Sequence, residues 1–488
     1  MLSEQGKQKD NNVQQTNSES PAPSVNPSNN SPFSYPTFRR LFAAQLTALV
    51  GSGFTQMALA LLAFDIAGAE AAIVLGIAWT MRVTASVIFA PIFGGLVHLL
   101  PRKYWLIGLD VGRALIVLFL PFVTTAWQIY LLIFLLNILS AGFTPVFQAL
   151  LPDVLKDEAV YTRALSWSRL AFELERILSP VFAGFALLLI SYNALFVFNA
   201  LSFLISALLL FTTTFPQATP SQRSGGILHN ISYGMHAYWK TPRLRALLGL
   251  HLAVAATGSM VIINTVGHVQ GTLGLTEQVT VWMMAVSGGG AIVAARLTPW
   301  LLENYLSDRR LMLRAGGLLA LSLLPAIVFN VGLPLLALTW FVIGLGSSFI
   351  LTAAGRILTR SCRKADRNAF FAANFALSHA AWLLCYPLAG WLGAEDFSTA
   401  AFVLGLLALA GVLFARWVWQ PGDVEELWHE HEALEHEHPH YHDEHHQHEH
   451  ENWDGVEPHV HSHAHGKIRH KHRFVIDEHH ARWPGIGR

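Results

Sequence analysis

The side chains best suited to chemistry in this 488-residue chain are its histidines, and 18 of the 24 fall between 429 and 480. They recur as His429-x-His431, His436-x-His438-x-His440-x-His442, His445-His446-x-His448-x-His450, His459-x-His461-x-His463-x-His465, His470-x-His472 and His479-His480. Neutral imidazole is a borderline ligand that suits Ni, Cu, Zn and Co. The interleaved Glu and Asp add oxygen ligands and, by attraction, favour the protonated ring. Protons therefore compete with metal, and binding weakens as pH falls through the histidine range. No single set of tetrahedral spacings stands out, so the pattern reads as a flexible binder of several ions. Only 8 Met and 2 Cys are present, which places copper(I) handling behind nickel, cobalt and zinc. The bland alternative is a low-complexity acidic and basic tail, which leaves this density of imidazole unexplained.

A second group of titratable residues lies inside apolar stretches, where charge is expensive and marks a site or a structural pair. Glu173 is the leading acid. It sits ~12 Å in from the end of its segment at 1.5 Å per residue. Arg169 and Arg176, at i−4 and i+3, share its face. Glu173 is read as a proton carrier or metal attractor, against a purely structural Arg–Glu cluster. Glu175 lies ~200° round the helix, so both acids cannot face one cavity. His379 falls near the middle of another segment as a transient ligand or proton carrier, against an interhelical hydrogen bond. His251 and His268 bracket one segment and are ~25 Å apart, too far to hold one ion. Asn264 and His268, at i,i+4, are the pair able to share one. Arg82 is expected to pair with an acid such as Asp110 rather than to touch a cation.

These residues need a scaffold, and composition says which kind. Hydrophobic residues make up 53% and charged residues 13% of the chain, whereas soluble domains carry roughly 25% charged. Residues 421–488 hold 15 acids and 6 Lys/Arg, and the rest holds 17 acids and 26 bases, so a basic body joins an acidic tail. Cys362 and Cys385 form no CxxC pair and give no disulfide or zinc-ribbon framework. A membrane-crossing helix needs ~20 apolar residues. Twelve stretches qualify, at about 42–64, 72–97, 104–124, 128–149, 165–189, 193–214, 244–266, 279–301, 311–330, 334–354, 369–392 and 397–418. The fifth is the weakest, because it carries Arg169, Glu173, Glu175 and Arg176.

Loop charge sets the orientation. Lys and Arg gather on one set of loops, including Arg102/Lys103, Lys156/Arg163 and Arg356/Arg360/Arg363/Lys364/Arg367. The alternate set carries Asp65/Glu70, Glu277 and Glu395/Asp396 without a base. Both termini are therefore expected in the cytoplasm of a multi-pass inner-membrane protein. The expected organisation is a disordered cytoplasmic extension at 1–32, six helices over 33–215, a central loop at 216–243, six more helices over 244–420, and a disordered tail at 421–488. Residues 227–239 of the central loop have the pattern of an amphipathic helix lying on the inner leaflet.

The loop Gly94-Gly95-Leu96-Val97-His98-Leu99-Leu100-Pro101-Arg102-Lys103 resembles the major facilitator motif G-x-L-A-D-R-x-G-R-R/K. Gly94, Leu96, Arg102 and Lys103 match, while His98 replaces the usual Asp and Pro101 the usual Gly. Asp110 and Arg113, three apart on the third span, are expected to supply part of the inner-gate lock in its place. Residues 143–152 with 179–184 look like the enterobactin- and drug-exporter branch, and 375–393 is similar to bacterial nickel-resistance exporters, which also end in a His-rich tail. The resemblance implies an all-α polytopic protein with twelve helices in two six-helix bundles. It implies a proton-driven exporter of Ni2+, with Co2+ or Zn2+ behind it. The expected partners are metal ions, protons and lipid, with no permanent cofactor and no nucleic acid. No G-x-x-x-x-G-K-S/T loop or pump phosphorylation motif is present, so no enzyme activity is expected. Three alternatives stand: a drug or siderophore exporter with a metal-sensing tail, an importer, and a membrane-tethered metal buffer.

Overall fold

The computed structural model describes residues 31–68, 71–216, 227–328, 331–421, 426–431, 434–440, 459–465, 468–473 and 475. The expected N-terminal extension, apart from residues 31 and 32, and His442, His445, His446, His448, His450, His479 and His480 lie outside them. So do the side chains of His98, Arg176 and the other tail histidines.

The first half contains α1 (Pro36–Ala67), α2 (Ala71–Leu96), α3 (Arg102–Phe119), α4 (Ala126–Val154), α5 (Glu158–Leu187) and α6 (Tyr192–Phe211). A short α7 (Ile227–Lys240) follows. The second half contains α8 (Pro242–Val266), α9 (Glu277–Asn304), α10 (Asp308–Ser322) continued by α11 (Leu324–Val328), α12 (Leu333–Arg360), α13 (Arg367–Glu395) and α14 (Phe397–Val418). Among the described residues, eleven helical stretches are long and apolar enough to cross a membrane. The exception among the twelve expected spans is α5, whose 30 residues carry the four charges noted above. It nevertheless packs along α1 in its own half and α9 and α12 in the other.

Local sequence starts and stops these helices. Pro36 and Pro242 open α1 and α8, where a missing N–H costs nothing. Asp157, Ser307 and Asp396 cap α5, α10 and α14 by accepting backbone N–H bonds from Val160, Arg310 and Thr399. Hydrogen bonds from Thr399 hold the Asp396 carboxyl below its ordinary pKa. Thr125 and Gln128 form a reciprocal capping box on α4. Gly68 ends α1 at φ +54°, a conformation that favours glycine.

The two halves repeat one packing scheme. α1 packs on α6 as α8 packs on α14; α2 packs on α4 as α9 packs on α12; α3 packs on α6 as α10 packs on α14. The halves meet where α2 runs along α13 and α5 along α9, again a related pair. This is the arrangement of two parallel repeats. Small residues permit the close contacts inside each half. A Cβ on Gly344 of α12 would sit 1.8 Å from the Ser287 carbonyl oxygen of α9, and one on Gly290 would sit 2.1 Å from that of Phe341. Backbone atoms cannot yield as a side chain can. Gly344→Val is therefore expected to destabilise the protein by more than the about 1–3 kcal/mol typical of overpacking. Gly184→Ala, where a Cβ meets nothing within 4 Å, is expected to be neutral. Thermal melting of the two purified variants checks this.

Two segments differ from the sequence expectation. α7 forms over the expected residues, but it packs onto the end of the bundle against α2 and α13 rather than resting on lipid alone. Glycines allow the approach: a Cβ on Gly95 would lie 2.7 Å from Ile231 Cα, and one on Gly234 would lie 2.4 Å from the Ala369 oxygen. Among its described residues the tail, expected to be disordered, carries four strands: β1 (Glu426–His431), β2 (Leu434–His440), β3 (His459–His465) and β4 (Ile468–Arg473). β1 pairs with β4 and β2 with β3, both antiparallel. Its His-x-His runs have the period of two that suits a strand.

Candidate functional site

The end of the bundle that carries the Lys/Arg-rich loops, here the basic end, is held shut by ion pairs between the halves. Asp153, near the end of α4, accepts from Arg102 Nη1 at 2.6 Å and from Arg367, the first residue of α13. Across the bundle the signs are reversed. Arg356 and Arg360, near the end of α12, donate to Asp308 of their own half at 2.8 and 2.5 Å. The same two arginines reach Glu158 of α5 at 2.8 and 2.5 Å. In each half the fourth helix thus presents one charge to its own third helix and to the fifth helix of the other half. Arg163 adds a two-pronged contact to Glu303, at 3.1 and 3.2 Å.

Of the loop motif, Arg102 joins this lock. Lys103 instead donates to the Thr213 carbonyl oxygen at 3.1 Å, so its charge caps the end of α6. Gly94 lets α2 approach α13: a Cβ there would lie 2.4 Å from the Ala372 side chain. The expectation for Asp110 and Arg113 needs correction. They pair with each other inside the first half, Ser206 donates to Asp110 at 2.8 Å, and Arg113 lies over the rings of Phe143 and Phe203. They fasten α3 to α4 and α6 and do not bridge the halves.

Toward the membrane interior lies a cavity of about 510 Å³, walled by α1 through α6. Its charged lining is Arg82, Arg113 and Glu175. Gln45, Gln56, Asn137 and Asn199 supply amides, and Trp79, Phe143, Phe172 and Phe203 supply aromatic faces. A neighbouring, largely apolar space of about 760 Å³ is lined by both halves and shares Gln56 and Trp79 with it. Arg82 does not pair with Asp110 as expected. Its guanidinium lies 4.9 Å from the Trp79 ring centre and within electrostatic reach of Glu175 and Tyr386.

The two acids of α5 diverge as their angular separation requires. Glu175 lines the cavity and accepts from Ser179 Oγ at 3.4 Å, while Glu173 is buried away from it and pairs with Arg169. Gly53 on α1 makes room for Glu175, because a Cβ there would lie 2.8 Å from its carboxylate.

The intramembrane histidines are placed separately. His379 is half-buried on α13, with Nδ1 2.7 Å from the Phe375 carbonyl oxygen and its ring 4.1 Å from that of Phe375. Arg82 and His251 are its electrostatic neighbours. His251 contacts Asn374 Oδ1 at 3.1 Å, and Tyr238 of α7 donates to the same oxygen at 3.1 Å. His268 contacts the Val331 oxygen at 2.8 Å and stacks on Phe397. Asn264 donates to the Ala389 oxygen at 3.1 Å and to Met260 Sδ at 3.3 Å. Asn264 and His268, expected to share an ion, thus each contact a different backbone oxygen. The chain leaves α-helix at Gly267 for a π-helical turn, which breaks the i,i+4 relation. In the membrane body, among the described residues, no three His, Cys, Asp or Glu side chains converge to hold a metal.

Sequence reasoning did not single out Asp153, Glu158, Asp308, Glu303 or Glu175 as a site. Apart from Arg102, which the loop motif had marked, the arginines of the lock were counted for topology alone. Acids placed at the ends of α4, α5, α9 and α10 opposite those arginines were the available signal.

Comparison with known proteins decides what this arrangement is. The family model described as Major Facilitator Superfamily matches residues 41–302 and 246–439. The chain belongs to this superfamily. It is a multi-pass membrane protein. Within the superfamily it is 26% identical over 278 residues to the "Uncharacterized MFS-type transporter YfiS" of Bacillus subtilis (strain 168). That match takes in 55% of this chain and 64% of YfiS, just under two thirds of its length. Solved structures share the fold at low identity. The human organic anion transporter MFSD10 (TETRAN) superposes with a TM-score of 0.66 at 13% identity, over 78% of this chain and 99% of that one. A bacterial homologue of the iron transporter ferroportin, in an outward-facing state with soaked iron, gives 0.62 at 15%, over 78% and 99%. FucP in the outward conformation gives 0.59 at 14%, over 78% and 98%.

Proposed function

We propose that this transporter exports a divalent metal, nickel first and cobalt next, from the cytoplasm in exchange for protons, and so confers metal resistance. The observation that carries this reading is the tail, with 18 histidines in 52 residues beside the basic end of the bundle. The Lys/Arg bias supports a cytoplasmic position for that end and for both termini. The tail then lies on the side from which an exporter loads. A tethered segment keeps its ligands near the inner mouth at about millimolar effective concentration. With the basic end held shut, loading the cavity from that side by alternating access needs the lock to release. Glu175 is the titratable group placed to exchange a proton with the cavity.

One observation favours a second reading, an exporter of organic molecules with a metal-sensing tail. The 510 Å³ cavity falls in the size range of drug-sized ligand pockets and presents aromatic walls beside Arg82 and Arg113. Likeness to both an organic anion transporter and a ferroportin homologue leaves the two cargoes on the same fold. Metal accumulation in whole cells with and without the gene separates them, with nickel, cobalt, zinc and copper run side by side. Lower nickel in the cells that carry the gene is expected. Equal content for all four metals would favour the organic cargo.

A further inference from the structure

The pairing of the tail strands places its histidines more narrowly than their spacing alone does. In the β2–β3 ladder His436 stands opposite His463, His438 opposite His461, and His440 opposite His459. Residues directly opposite in an antiparallel ladder share a face, as do residues two apart along a strand. One face of this ladder therefore carries the positions of seven histidines, the six above and His465, with Leu434. The other face carries Glu435, Glu437, Pro439, Val460, Ser462 and Ala464, without a histidine. The β1–β4 ladder sorts in the same way. His429 stands opposite His470, and His431 and His472 share their face. On the reverse face Glu426 stands opposite Arg473 and Glu430 opposite Arg469, cross-strand charge pairs that favour this register over its neighbours.

We infer that β2 and β3 together form a site for borderline divalent cations, to which both strands contribute opposed histidine positions. Opposed positions have Cβ atoms about 4.5–5.5 Å apart, and the next pair on the same face lies about 7 Å along. The opposed positions 436/463, 438/461 and 440/459 thus bring histidines of both strands together on one face of the ladder. An isolated two-stranded ladder is marginal in water. Metal that bridges the strands binds the paired form and not the open chain, so binding and pairing are linked. Pro439 lacks an N–H, which an outer edge of a two-stranded ladder tolerates. The inference rests on the reading of the tail as a metal binder but not on nickel being the transported cargo.

The test is Ni2+ binding by the purified full-length protein in lipid nanodiscs at pH 7.5, measured by equilibrium dialysis. Three triple variants are compared: H436A/H438A/H440A in β2, H459A/H461A/H463A in β3, and H445A/H446A/H448A, which removes three histidines from neither strand. Either strand variant is expected to weaken the tightest class of sites at least about tenfold, the lower end for disturbing a metal's ligand set. Combining the two strand variants is expected to add little, because each already removes the same sites. The third variant is expected to leave that class in place. Equal losses from all three triples, additive on combination, would overturn the ladder and return the tail to independent sites along an open chain. Because no transport is read, ladder behaviour without nickel export would refute the proposed cargo and leave this site standing.

Discussion

Asp153→Asn is expected to open the basic end of the bundle and to abolish most transport. Asp153 is about nine-tenths buried and is shared by Arg102 of the first half and Arg367 of the second. Asparagine keeps the shape and removes the charge, leaving two nearly buried guanidinium groups without their common partner. Removing one member of a buried ion pair costs about 3–5 kcal/mol. The cost falls on the state in which the halves touch, so the ratio of closed to open basic ends should drop by roughly two to three and a half orders of magnitude, at 1.4 kcal/mol per tenfold. Distances between spin labels on the basic ends of α5 and α12 read this directly, and a second, longer population is expected. Arg367→Ala should do the same, and the double variant should cost less than the sum of the two, since both break one contact. Unchanged distances with additive losses would mean that the pairs do not lock the halves.

The second large effect is expected from the acids of α5, and it separates them. Glu175→Gln should reduce transport per molecule at least about tenfold, equivalent to about 1.4 kcal/mol, while the protein still reaches the membrane in normal amount. Its carboxylate lines the cavity within electrostatic reach of Arg82, where a proton can arrive and leave. Glu173→Gln should act the other way. It removes the partner of Arg169 in a buried pair outside the cavity, so the amount of folded protein falls and turnover of what remains does not. Transport normalised to immunoblotted membrane protein distinguishes the two outcomes. A normal Glu175→Gln beside an inactive but abundant Glu173→Gln would make Glu173 the transport carboxylate.

The contrast between these residues shows how much of the molecule can be read without coordinates. Helix number, the long central connection and the amphipathic α7 follow from hydropathy and loop charge, because a bilayer imposes length and polarity on every crossing. The 200° between Glu173 and Glu175 says that they face apart, but only the packing of α1 against α5, which Gly53 admits, says which one meets the cavity. The lock was out of reach for a related reason. Asp153 and Arg367 are 214 positions apart and meet only because α2 and α4 run along α13. Asn264 and His268 do not keep the regular i,i+4 relation because a π-helical turn begins between them, and nothing in the spacing marks where a helix changes its winding. The histidine pattern carried its period of two in plain view, yet the partner of each strand is set by a register across 18 to 46 intervening residues.

The central claim is that metal moves outward against protons, and liposomes test it most directly. Purified protein is reconstituted with the basic end outside, a nickel-sensitive dye is enclosed, and the lumen is made acidic. Nickel added outside is expected to enter above its external concentration, to stop when a protonophore collapses the gradient, and to be lost with Glu175→Gln. No nickel entry under the intact gradient, while an organic dye is carried in by the same vesicles, would contradict the account and assign the cavity to an organic cargo.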